Sequence, residues 1–212
     1  MKNSSFITSA LATTLLLVGC SSSDDDSDAS DTLTLTDGTV VECGTAEASD
    51  LSETDGDLSD DFTAPTAFTI GPGVNTVTAS TQSGDLDYLT FTVGPCDTLT
   101  QLTVDNYTTE AGDEVAFIAV QSGSAFTFPA AEAGGNTGEL LGFSHYGMAD
   151  IGQDILPRIG AEEDALGFTP PLQPGDYTVW LNQTGTESEA TLVFLVDRDS
   201  RSYLSIRHKK AK

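Results

Sequence analysis

An all-β fold, an antiparallel β-sandwich with a long and partly helical insert, is the architecture this sequence predicts, and three observations predict it. Between Phe62 and Val196 the apolar residues come in short runs separated by Gly, Pro, Asn and Asp. Within several runs apolar and polar residues alternate, as in a half-buried strand, and no stretch sustains the helical period. Seven such runs with turn residues between them indicate packed antiparallel sheets, since a parallel sheet needs long crossover connections. A body of about 135 residues is long enough to enclose one core.

The elements follow in order from the amino end. Met1 and Lys2 precede an uncharged, largely apolar stretch from Phe6 to Val18. It is shorter than the roughly 20 residues of a membrane-spanning helix but suits the apolar part of a secretory signal, which assigns residues 1–19 to a signal peptide. Its end, Leu17-Val18-Gly19-Cys20, resembles a bacterial lipobox. That resemblance implies cleavage before Cys20, acylation of its thiol with palmitate-type chains, and attachment to a membrane through the lipid. Each buried methylene contributes about 0.8 kcal/mol, so more than one chain gives stable anchoring. An ordinary signal with an incidental cysteine is the alternative. Ser21 and Ser22 stand where, by resemblance to enteric-type lipoproteins, an aspartate would favour the inner membrane, so the cell outer membrane is the expected address.

Residues 20–61 begin Cys-Ser-Ser-Ser-Asp-Asp-Asp and continue rich in Thr, Glu and Asp. Such a segment buries too little apolar area to offset the entropy of ordering, and is expected to be mostly a disordered, self-repelling spacer. With Cys20 acylated, Cys43 and Cys96 are the two remaining thiols of an exported chain, and a disulfide between them is expected, free thiols being the alternative. The bridge would pin residues 40–44 to the turn Gly94-Pro95-Cys96-Asp97, with room for one added edge strand.

The sandwich is assigned to residues 62–197, with strands at Thr66–Ile70, Asn75–Ala79, Asp87–Val93, Leu99–Asp105, Glu114–Gln121, Asp176–Gln183 and Glu189–Val196. Leu89, Phe91 and Val93 read as the inward row of their strand, with Asp87, Thr90 and Thr92 opposite. Tyr177, Val179 and Leu181 read as another inward row, which turns Thr178, Trp180 and Asn182 outward. Residues 115–120 and 192–196 are apolar on both faces, so their second face needs a cover. The insert, residues 122–171, offers one, with Phe126, Phe128, Leu140, Ile155, Leu156 and Ile159 among its apolar side chains. Helical turns are expected near 149–156 and 161–166.

Two motifs carry a resemblance. Gly84-Asp85-Leu86-Asp87-Tyr88-Leu89-Thr90-Phe91-Thr92-Val93 resembles the hallmark strand of bacterial pre-peptidase C-terminal domains, and Pro174-Gly175-Asp176-Tyr177-Thr178-Val179-Trp180 resembles a strand near the end of that family. The likeness implies a jelly-roll-like sandwich with binding or secretion-linked roles and, in some collagen-binding members, calcium. Two departures stand out: no catalytic domain precedes the sandwich, and the insert is long. Leu140-Leu141-Gly142-Phe143-Ser144-His145 and Leu166-Gly167-Phe168-Thr169-Pro170-Pro171-Leu172 are similar to segments of an unassigned subgroup of exported bacterial proteins, which supports the fold and adds no chemistry.

Charge limits the partners. The chain carries 33 acidic and 8 basic residues, a formal net charge of -25, so no basic surface exists to displace the counterions of a nucleic acid. Arg158 is the one base between residues 20 and 197, and six bases lie in the tail 198–212. Such an acidic body suits a saline, extracytoplasmic setting, where salt screens its repulsion. The tail has three readings: folding back on the acidic body, touching anionic lipid, or fraying.

Chemistry-bearing residues are few. His145 is the one His of the body, and Ser144 beside it would point to the opposite face of a strand, so a serine nucleophile with a histidine base is not indicated. A buried or bracing histidine is the plainer reading. Calcium takes six to eight oxygens, and Asp55, Asp57 and Asp60 with Asp85 and Asp87 are the densest carboxylates near folded structure, although they lack the EF-hand order. Turn formation explains Asp85 and Asp87 equally well. Trp180, with Asn182 beside it, either presents its ring to a sugar or packs under the insert or against Tyr146. The expected function is a non-enzymatic, lipid-anchored envelope module that binds polysaccharide, protein or calcium. The alternative is a structural or assembly lipoprotein that recognises another envelope protein.

Overall fold

In the computed structural model the described residues are 32–34, 39–112 and 114–198. They form β1 (Thr32–Thr34), β2 (Val40–Glu42), β3 (Asp50–Ser52), β4 (Thr66–Ala67), β5 (Gly73–Thr81), β6 (Leu86–Val93), β7 (Asp97–Thr109), β8 (Ala116–Ser122), the short helix α1 (Ala133–Asn136), β9 (Gly142–Tyr146), helix α2 (Leu156–Gly160), β10 (Gly175–Asn182) and β11 (Ser188–Arg198). All seven expected strands are among them. The leader, Cys20 and the tail beyond Arg198 lie outside the described residues.

Two sheets make a β-sandwich: β4-β6-β10-β8-β9 in one, β3-β5-β11-β7 in the other, with β1-β2 as a separate pair. The central ladders are antiparallel, as expected. The sheets are nevertheless mixed, because β3 runs parallel to β5 and β4 parallel to β6. The reason is local: between β3 and β5 the chain crosses to the opposite sheet, lays down β4 and returns, so each edge strand arrives without a hairpin. Composition alone would leave residues 50–61 in the spacer, yet β3 joins a sheet and Leu58 is buried in the core.

The core between the sheets holds both expected inward rows, with Leu89, Phe91 and Val93 facing Phe194 and its neighbours. Phe91 and Phe194 meet edge to face across the sandwich, with ring centroids 5.6 Å apart. Asp87 departs from the expectation. It shares the parity of Leu89 and Phe91, so its carboxyl lies inward and is 0% exposed.

The insert does two jobs. Phe126, Phe128 and Leu140 close over Tyr88, Ala119 and Trp180 on the outer face of the five-stranded sheet, making a second apolar cluster. This covers β8, as its two apolar faces require. Ile155, Leu156 and Ile159 instead join the main core, where Ile155 N donates to Leu102 O of β7 at 2.8 Å. Of the two expected helical stretches, the first is met by Met148–Asp150 and α2, whereas 161–166 holds turns, and α1 with the turns on either side of it, residues 130–139, was not expected. Among the described residues the outer face of β11 has no such cover: Val193 and Leu195 stay half-buried.

Cys43 and Cys96 form the expected disulfide, with Cα atoms 5.3 Å apart. Beside it Arg198 Nε donates to Asp97 Oδ1 at 2.9 Å and Arg198 reaches Gly44 O at 2.8 Å. The N-terminal segment is thereby fixed where the last strand ends.

Candidate cation centre and aromatic cleft

The carboxylates converge where the N-terminal segment meets β6. Gly84, at φ +93°, makes the tight turn into β6 with Asp85 N donating to Gln82 O at 3.1 Å. The pleat then carries Asp87 under the edge of the core. Ser52 accepts from Thr54 N at 3.3 Å and starts the turn Glu53–Asp55, which presents Glu53 toward β5. Glu53 Oε2 accepts from Ser80 N and, at 2.7 Å, from Ser80 Oγ. One oxygen anchors the side chain and the other is left for something else.

Glu53, Asp57 and Asp87 each bring a carboxylate oxygen within 4.8 Å of the others. Both oxygens of Asp87 and Oε1 of Glu53 are buried with no hydrogen-bond partner among the described residues. Burial, then the facing Glu53 and Asp85 carboxylates, push the Asp87 carboxyl up to about 9. Asp85 is raised too, by burial and by Glu53, Asp57 and Asp60. An uncompensated buried charge of this kind is costly, so the group holds either a proton or a cation. The spacing suits calcium: oxygens about 2.4 Å from one ion lie at most about 4.8 Å apart.

Of the five carboxylates expected from sequence, Asp57 and Asp87 converge and Asp85 adds its field. Asp60 is used otherwise, its Oδ1 accepting from Leu86 N at 2.8 Å at the start of β6. Asp55 is exposed and outside the trio. Glu53 was not foreseen, because in a spacer crowded with acids nothing local distinguishes it.

Trp180, Asn182 and His145 come together elsewhere, in a cleft of about 300 Å³ on the outer face of the five-stranded sheet. Register explains it: Phe117 of β8 lies between His145 of β9 and Asn182 of β10, and Trp180 pairs with Ala119. Trp180 is on the outer face as expected, but 5% exposed, stacked on Tyr88 and edge to face with Phe117. It packs under the insert and not against Tyr146, whose ring meets Tyr107 in the main core. A sugar therefore has no open indole face to lie on. His145 is exposed, with its ring 5.5 Å from that of Phe117. Ser144 faces the other way, its Oγ accepting from Arg158 Nε at 2.9 Å. Arg158 also binds Asp150 Oδ1 at 2.7 Å and His145 O at 2.8 Å, bracing β9.

Compared with protein families, with curated proteins and with solved structures, the chain has no match. Among the described residues no helix is long and apolar enough to cross a membrane.

Proposed function

We propose that this protein is a non-enzymatic binding or adhesion module of the bacterial cell envelope, held to the outer membrane through lipid on Cys20 and ordered by a bound calcium ion. Its sandwich is read as jelly-roll-like, of the pre-peptidase C-terminal type, on the strength of the Gly84–Val93 and Pro174–Trp180 motifs. The single observation that carries the cation reading is Asp87, a fully buried carboxylate whose described neighbours at its oxygens are the carboxylates of Glu53 and Asp57, with no N–H donating to it. A divalent ion there would join the N-terminal segment to β6, so that the end of the tether and the sandwich act as one body.

Thermal melts of the mature chain test this, because a ligand specific to the folded state raises the melting temperature. Calcium should raise it by several degrees over chelator, and magnesium, which demands closer and more regular octahedral oxygens, should do less. A melting temperature indifferent to calcium in wild type would remove the reading.

One observation favours the second reading, an assembly lipoprotein that recognises an envelope protein. Val74, 56% exposed, pairs with half-buried Leu195 on a face of the four-stranded sheet that no described residue covers, next to half-buried Val193.

A further inference from the structure

We propose that the cleft between α1 and the outer face of the five-stranded sheet is a second ligand site, separate from the carboxylate trio, that takes a neutral, apolar, ring-sized molecule. Its deep side is formed by buried Leu140 and Trp180 with half-buried Phe117 and Phe143. Ala133, Gly134 and Thr137 of the insert face them, and exposed His145 and Thr184 with half-buried Asn182 lie toward solvent.

Charge selects the ligand first. In a chain with 33 acidic residues, none of the ten described residues lining the cleft is acidic, and none is Lys or Arg. An anion would meet the repulsion of the whole body, and a cation would find no carboxylate in the wall. Polarity selects next. Phe117 sits at the centre of a group of rings, 5.0 Å from Trp180, 5.8 Å from Phe143 and 5.5 Å from His145. Among the described lining residues only Thr137, Asn182 and Thr184 bring an amide or hydroxyl side chain, too few to pair the groups of a hydroxyl-rich sugar. An aromatic ring meets the edges and faces it packs against best.

Size closes the choice. A volume of about 300 Å³ is at the low end for small-molecule sites, room for one ring with a short substituent. A Cβ at Gly134, one of the lining residues, would meet nothing within 4 Å, so a larger side chain can be built there without displacing a described neighbour.

The chain has one Trp, and it lines the cleft, so its indole N–H gives a single reporter resonance. The full mature chain would be titrated with benzyl alcohol, benzoate, benzylammonium and methyl glucoside, following that resonance and intermolecular contacts from probe protons to Phe117, Phe143 and Leu140. Benzyl alcohol should give a saturable shift and those contacts, and the other three should not. Gly134→Leu should abolish the shift without lowering the melting temperature, and Gly134→Ala should keep it. The proposal is overturned if benzyl alcohol gives no saturable shift or no contacts to these rings, if a charged probe or the glucoside does as well, or if folded Gly134→Leu still binds. None of these outcomes touches the calcium reading, whose test is a different measurement.

Discussion

At the scale of the residue, Asp87 decides most. Its carboxyl is pushed up to about 9 from 3.8, so between those values the folded protein holds a proton that the unfolded chain has released. Without metal, the group's contribution to stability is full below about pH 3.8 and is lost as pH rises through about 9. Glu53, Asp57 and Asp85 face it and strengthen the effect. Metal-free melting temperature should therefore fall between about pH 5 and about pH 8, while calcium affinity rises over the same range because the ion replaces a proton. Asp87→Asn keeps the shape and removes the charge. It should melt at least as high as metal-free wild type at about pH 8, with a flatter pH dependence and no response to calcium. An unchanged pH slope in that variant would mean that another group sets it.

At the scale of the element, the long strands were legible and two short edges were not. Period two in residues 87–93 and 176–183 announces β6 and β10, and the two-sided apolar run of β8 announces a cover, because those patterns are set by burial alone. β3 and β9, three and five residues long, owe their conformation to the partner beside them, a fact no local pattern carries, whereas β4 is the two-residue remnant of the strand expected at 66–70. Asp87 was legible by parity, whereas its convergence with Glu53 depends on β3 docking against β5, a contact over more than twenty residues. The fit of α2 on β9 is another such contact. A Cβ at Gly142 would lie 1.9 Å from Ile159 O, so the helix can approach only a glycine. Gly142→Ala should force α2 outward and cost about 1–3 kcal/mol, the usual range for overpacking. Urea unfolding measures this, and an unchanged midpoint would show that α2 moves freely.

For the whole molecule, the balance of charge matters more than any pair. The formal net charge is -25, and among the described residues Arg158 pairs with Asp150 and Arg198 with Asp97. Among the described residues many carboxylates share a body bound by a core and one disulfide, and their mutual repulsion is relieved when the chain unfolds and spreads them. Sodium chloride should therefore stabilise this protein, as the screening length shrinks from about 10 Å at 0.1 M to about 3 Å at 1 M. The melting temperature should climb smoothly by a few degrees over that interval, and potassium chloride should match it, since screening depends on ionic strength and not on the ion. Asp87→Asn should respond to salt as wild type does while ignoring calcium, because one effect belongs to the whole surface and the other to three carboxylates. A melting temperature flat in salt would mean that the acids are already spaced beyond each other's reach in the folded state.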